Sequence, residues 1–109
     1  MQGMEEVSFQ MIAAIGEAKT LIMSAITLAS NREYKKAKDS LKQAKEKFVV
    51  AHLAHFELIQ HEANGEKIEL GLLLIHAEDQ LMTTSLLHEV AEQMITMYQK
   101  MYQLFEERE

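Results

Sequence analysis

Four polar side chains that could carry chemistry lie close together in the last third of the sequence: His76, Asp79, Gln80 and Thr83. On an α-helix, this spacing would place all four side by side on one face. A neutral imidazole can attack phosphorus or bind a metal, and a carboxylate can bind a hard cation. The group therefore predicts a site for phosphoryl transfer or for a metal ion.

The same helix face is otherwise apolar. A helical wheel of residues 71–107 places a long stripe within about 80° of His76, made up of Leu72, Leu73, Leu86, Leu87, Val90, Ala91, Met94, Met97, Tyr98, Met101, Leu104 and Phe105. Burying a carboxylate in such a face costs several kcal/mol unless it is paired or bound to a metal. We therefore expect the polar group to have a function on a packing face.

Three interpretations of the group remain open from spacing alone. His76 and Asp79 can hydrogen-bond each other and fix the packing register. They can ligate a metal together, although two ligands are too few for a tight transition-metal site without other chains or segments. Alternatively, His76 is a nucleophile whose neighbours set its tautomer and the local charge.

The middle of the chain predicts a second helix with histidines on its apolar face. That face consists of Tyr34, Leu41, Ala44, Phe48, Ala51, Phe56 and Ile59, and it also carries His52, His55 and Glu62. These groups could approach the His76 group, although an isolated histidine on such a face is more often structural. His61 and His88 are predicted to face solvent without a role.

Two interruptions divide the chain into elements that would position these groups. Ser30-Asn31 and Asn64-Gly65 are typical of helix ends, and the 109 residues contain no proline. We predict helices at about 4–29, 33–63 and 67–107, without strands. The fold class is therefore all-α, a single domain of three antiparallel helices.

The first predicted helix is apolar on two sides, which indicates an oligomer. Ile12, Ile15, Ile22, Met23 and Ile26 share one face, and Val7, Met11, Ala14, Ala18, Leu21, Ala25 and Leu28 share the other. A helix that is apolar nearly all round is buried on more than one side. We expect a second copy of the chain to cover the remainder; the alternative is that the alanines tolerate solvent.

Composition excludes several classes of function. A net charge of −6, with 17 acidic and 11 basic residues, argues against a nucleic-acid partner. The absence of cysteine excludes disulfides and thiolate chemistry. Without a signal-peptide pattern or a run of about 18 apolar residues, we expect a cytoplasmic protein with no direct membrane insertion.

The run from Leu72 to Thr83, LLLIHAEDQLMT, resembles the signature of a known family. The family comprises the IIA components of the lactose/cellobiose (chitobiose) class of the bacterial sugar phosphotransferase system. Its usual pattern is a histidine, a small residue, Gln-Asp-His and then Leu-Met-Thr. Further short motifs resemble the family in order and spacing along nearly the whole chain: Glu5-Glu6 before Ser8-Phe9, Gly16-Glu17-Ala18-Lys19, Ala51-His52, and Glu62-Ala63-Asn64-Gly65.

The resemblance implies a trimer of three-helix subunits, a nine-helix bundle. It implies that His76 accepts a phosphoryl group from phospho-HPr and passes it to a cysteine of the cognate IIB protein, and so serves the membrane IIC component. Asp79 would point to the trimer axis, where three copies hold one divalent ion, and magnesium suits such oxygen ligands. Gln80, Thr83, His52 and Glu78 are expected to support the site.

The chain also departs from the family pattern. Glu78 stands where glutamine is usual, Gln80 where histidine is usual, and His55-Phe56 where a Gln-Thr pair is expected. The sequence around His76 favours a cellobiose-type carrier for a β-linked disaccharide. A different class of function is a non-catalytic trimeric bundle, assembled by metal, with a regulatory or scaffold role.

Overall fold

The computed structural model describes residues 3–108 as three long helices: α1 (Met4–Ser30), α2 (Tyr34–Ala63) and α3 (Leu72–Arg108). Those residues contain no β-strand. The helices run antiparallel in chain order and form a rod of 64 × 20 × 18 Å. The predicted all-α, three-helix architecture is confirmed.

The turn between α1 and α2 is tight and is held by the far end of α3. Arg32 has a positive φ of 65°, and the Glu33 amide donates to the Leu28 carbonyl at 2.9 Å. The Tyr102 hydroxyl donates to the carbonyl of Ser30 at 2.9 Å. The Arg32 guanidinium lies 4.3 Å from the centre of the Tyr102 ring, a cation–π contact. α1 and α3 therefore run parallel, with their carboxyl ends joined.

The second turn is longer than predicted, because α3 begins at Leu72 instead of about residue 67. α2 ends at Asn64-Gly65, where Gly65 adopts a φ of 88° that favours glycine. The Glu66 amide then donates back to His61 O at 3.0 Å. The next residues are non-helical, with Ile68 packed against the core and Gly71 as the last residue before α3. Anchoring of Ile68 and the low helix propensity of glycine account for the late start.

α1 is the central helix, and its two apolar sides are covered in part within one chain. Its buried arc spans both predicted faces and consists of Val7, Ser8, Met11, Ala14, Ile15, Ala18, Ile22, Ala25 and Ala29. Met23 of the first predicted face is 50 % exposed, and Ile12 and Ile26 are partly buried, so covering of the remainder by a second copy stays a prediction. By length and mean hydropathy (1.5) α1 also qualifies as a candidate membrane span. Its packing between two helices gives part of this apolar composition another explanation.

α2 and α3 each pack closely on α1 but touch each other much less. Their direct contacts include the Tyr34 hydroxyl, which lies 3.5 Å from the Tyr98 carbonyl oxygen. Burial raises the pKa of the Tyr34 phenol above its ordinary value, while Arg32 acts in the opposite direction. The phenol therefore stays protonated and remains a donor at neutral pH. Three grooves in the described part of the chain lie along the open seam between α2 and α3.

The close packing at Ala18 predicts that a larger side chain there will destabilise the subunit. Ala18 is fully buried, so Ala18→Leu should lower the free energy of unfolding by about 1–3 kcal/mol. Ala63→Leu, at the exposed end of α2, should change it by less than about 0.5 kcal/mol. Urea denaturation followed by circular dichroism measures both; equal effects would contradict close packing at Ala18.

Candidate functional site

His76 lies on the second turn of α3, with its side chain exposed and its backbone held firmly. The helix opens with the Ile75 amide donating to the Gly71 carbonyl at 3.1 Å. Leu74, Ala77 and Leu81 are buried against the core and anchor the same turns. A rigid helix therefore presents His76 to solvent, which suits a group that must meet other proteins.

The other members of the polar group are also on the surface of the single chain. Asp79 and Thr83 are exposed, and Gln80 is half-buried. The Thr83 hydroxyl donates to the Asp79 carbonyl oxygen at 2.9 Å. Within residues 3–108, no hydrogen bond joins the side chains of His76 and Asp79, so the structural interpretation is not realised in the subunit.

Asp79 lies at the centre of an apolar stripe that the chain leaves uncovered. The stripe, which we call the α3 outer face, consists of Leu72, Ile75, Met82, Leu86, Val90, Met97, Met101 and Leu104, all more than 40 % exposed. Most of the predicted packing face of α3 therefore does not pack within the subunit. Leu74, Ala77, Leu81, Thr84 and Ile95 on the opposite side are buried, and Ala91 of the predicted stripe is buried with them. An apolar surface this long is typical of a protein interface.

The histidines of α2 do not reach His76 within one chain. Glu78 points about 160° around α3 from His76, and its carboxylate Oε2 lies 3.5 Å from Nε2 of His55. His52 is exposed, and its ring centre lies 6.1 Å from that of Phe48. His76 and the α2 histidines therefore occupy opposite edges of α3. Phe56 and Ile59, expected on the apolar packing face of α2, are about half exposed, and Leu58 faces the core instead. Ala51 of the predicted face is buried as expected.

His88 was predicted to face solvent, and this was wrong. Its side chain is only 13 % exposed, with Nδ1 3.1 Å from the Glu92 carboxylate. Nε2 lies 3.1 Å from the Leu41 carbonyl oxygen of α2, and the ring meets the Phe48 ring edge-on. His88 thus bridges the α2–α3 seam. His61 is also engaged, in a contact with Glu66. In the sequence, the buried position of His88 was indicated by its angle on the helical wheel, about half a turn from the α3 outer face.

The metal-ligating groups of one chain do not converge. No cluster of three or more histidine, aspartate or glutamate side chains suited to a metal occurs within residues 3–108. Asp79 offers carboxylate oxygens, the donors that hard cations prefer, from the middle of an uncovered apolar face. Such a donor set fits a divalent ion only where Asp79 side chains from several copies meet.

Comparison with known proteins agrees with this architecture. The family model for the lactose/cellobiose-specific IIA subunit of the phosphotransferase system matches residues 6–99. The lichenan-specific phosphotransferase enzyme IIA component of Bacillus subtilis is 38% identical over 97 residues, covering 89% of this chain and 88% of the relative. The chain therefore belongs to the lactose/cellobiose IIA family. Members of this family are phosphotransferase proteins that carry a phosphohistidine.

Solved structures agree in fold over nearly the full length. The cellobiose-specific enzyme IIA from Bacillus anthracis superposes with a TM-score of 0.88 at 37% identity, covering 94% of each chain. The chitobiose IIA of Escherichia coli, solved in complex with HPr, gives a TM-score of 0.81 at 29% identity. It covers 94% of this chain and 99% of its own. The open α3 outer face therefore belongs to a fold that family members share.

The position of His88 predicts a structural role rather than a chemical one. His88→Ala removes two polar contacts and an aromatic contact across the seam, and should lower the free energy of unfolding by about 1–3 kcal/mol. Glu92→Gln keeps an acceptor for the Nδ1 proton and should cost less than about 0.5 kcal/mol. Thermal unfolding compares the two variants; an unchanged midpoint for His88→Ala would refute the bridge.

Proposed function

We propose that His76 is the phosphohistidine of this carrier, accepting its phosphoryl group from phospho-HPr and passing it to a cysteine of the cognate IIB protein. The observation that supports this proposal is that the His76 imidazole is free to react. Of the five histidines in the chain, His55, His61 and His88 have ring nitrogens engaged by carboxylates, and His52 lies against Phe48. His76 is exposed, on a rigid helix, with no polar partner in the described part of the chain.

The proposed transfer needs one neutral imidazole nitrogen with a lone pair. That nitrogen forms a bond to phosphorus while the bond to HPr breaks, and the electron pair of the broken bond stays on HPr. In the second step a thiolate of IIB attacks the same phosphorus, and the lone pair returns to His76. The phosphoryl group moves intact, so the protein's task is positioning and charge stabilisation.

The supporting residues divide by their position on α3. Gln80 lies one turn beyond His76 on the same edge, where its amide can donate to phosphoryl oxygens. Thr83 follows one turn later and can turn its hydroxyl away from its own backbone. The docking surface for HPr and IIB is proposed around the exposed Leu72 and Ile75. Glu78 and His52 could reach the same site only from another copy of the chain.

The α3 outer face supports assembly into a trimer. Three copies packed through Leu86, Val90 and Met97 would bury their apolar stripes around one axis, with three Asp79 carboxylates facing each other. A divalent cation, with magnesium the expected one, would offset their mutual repulsion. Asp79 is the residue that would hold it; when bound, the ion supplies charge compensation near the phosphoryl site.

Threefold packing would also bring one edge of the α3 outer face against the other edge of the same face in the next subunit. In a closed ring, the same edge of every helix faces the opposite edge of its neighbour. The His76 edge of one copy would therefore face the Glu78 edge of the next, together with its α2 histidines. In this arrangement each phosphoryl site lies between two subunits, and His52 belongs to the site from across the interface.

The names of the relatives support a proposal for the sugar that the system transports. Since similar proteins are named for lichenan, cellobiose and chitobiose, we propose uptake of a β-linked disaccharide of the cellobiose type. The carrier would work in the cytoplasm and reach the membrane IIC component through IIB. Sugar choice would rest with the membrane component, since the proposed carrier handles only the phosphoryl group.

Phosphorylation of His76 can be tested directly. Incubation with phosphoenolpyruvate, enzyme I and HPr should add one phosphoryl group per chain, measured by intact mass. His76→Gln should abolish the adduct, while His61→Gln should retain it. Since His76 is exposed, the variant should keep its helical circular-dichroism spectrum. An unmodified wild type with active upstream proteins would favour the scaffold alternative.

Removal of the axial carboxylate tests the metal. Asp79→Leu replaces a charge in an apolar stripe with an apolar side chain, so the trimer should persist while its bound ion is lost. Analytical ultracentrifugation gives the mass, and elemental analysis of the purified protein gives the metal content per trimer. A wild-type trimer free of divalent metal across the pH range of stability would rule out the axial ion.

A further inference from the structure

The contact between His55 and Glu78 has no part in the transfer described above. It joins α2 to α3 across their open seam, with Nε2 of His55 3.5 Å from Oε2 of Glu78. Both side chains are partly exposed, at 25 % and 37 %. An ion pair in such a position contributes little to stability, so a purely structural role explains little of its presence.

The surroundings of His55 are acidic and apolar. It lines a groove of about 330 Å³ together with Glu62 and Glu78, and the other lining residues are Leu58, Ile59, Ile68, Leu70 and Leu74. Of the groove's lining residues, His55 alone can carry a positive charge. It therefore faces two carboxylates, and its removal would leave both without a cation in the groove.

Negative charge accumulates at the start of α3 when the carrier is loaded. A phosphoryl group on His76 would lie near Asp79, which follows three residues later on the same helix face. Glu78 of the same chain points to the other edge of α3, but in the proposed trimer that edge faces His76 of the next copy. Like charges that face each other across such an interface disfavour the phosphorylated state.

We propose that His55 is a positioning residue that holds the Glu78 carboxylate on α2 through Nε2, so that the phosphorylated form of His76 is not penalised. The proposal rests on His76 being the phosphorylated residue and on the proposed trimer. Glu78 and His55 both depart from the pattern that the sequence resembles, and the structure joins them in one contact.

The equilibrium of phosphoryl exchange between phospho-HPr and this protein tests the proposal. His55→Gln should lower the ratio of phosphorylated to free protein about threefold, because the Glu78 charge is then unopposed. Glu78→Gln should raise the ratio above that of the wild type. In the Glu78→Gln background, His55→Gln should have no further effect, and His55→Lys alone should keep the wild-type ratio.

Salt and a matched control separate charge from packing. The loss in His55→Gln should shrink in 1 M salt, because screening is strong at that ionic strength. His61→Gln changes another half-buried histidine of α2, paired with Glu66 away from α3, and should leave the ratio unchanged. Circular dichroism confirms that each variant is folded.

The outcomes distinguish this inference from the proposed function. If His76 is phosphorylated but His55→Gln has the same effect with and without Glu78, or none, His55 does not act through Glu78 and the inference fails alone. If the wild type accepts no phosphoryl group, or His76→Gln still accepts one, the proposed site fails and the inference falls with it.

Discussion

The packing of α1 against both other helices through small side chains is the constraint on which the rest of the structure depends. Ala18 and Ala25 on α1, and Ala44 and Ala51 on α2, are fully buried. Such residues let helix backbones approach closely and leave little space to fill. Because α1 occupies the centre, α2 and α3 meet each other only along an open seam, and α3 keeps a whole apolar face uncovered. The proposed assembly and the proposed chemistry are both located on this face.

The uncovered face of α3 explains why one carboxylate per chain can be tolerated in an apolar stripe. In a single chain Asp79 remains in water, so its charge costs nothing. In an assembly centred on this face, the carboxylates would approach one another, and a shared cation would offset the repulsion. The proposed trimer therefore turns a group that could not bind a metal in one subunit into a site with several oxygen ligands.

Charge balance around His76 connects family membership with the features of this particular chain. The family relationship accounts for a phosphohistidine, and the exposure of His76 on a firmly anchored turn of α3 makes it the proposed one. In the proposed trimer Glu78 would bring negative charge towards that site, and His55 lies against Glu78 from α2.

The sequence by itself determined the number of helices, the interruptions at Ser30-Asn31 and Asn64-Gly65, and the shared face of His76 and Asp79. These features depend on local periodicity and turn residues, which act within one element. Periodicity also placed an apolar stripe on α3 correctly, but it could not tell whether that stripe packs within the chain or outside it. That choice depends on how each helix is rotated against the others.

Only the tertiary structure decided which partners the remaining groups meet. α3 begins at Leu72 because Ile68 is anchored in the core, a contact distant in sequence. His88 bridges to the Leu41 carbonyl, and His55 meets Glu78, because α2 and α3 lie side by side with a defined stagger. A helical wheel gives the angle of a side chain about the axis of its own helix, but it does not show which neighbouring helix that side chain meets. For that reason the sequence predicted His76, Asp79 and their spacing, and only the tertiary structure showed their surroundings.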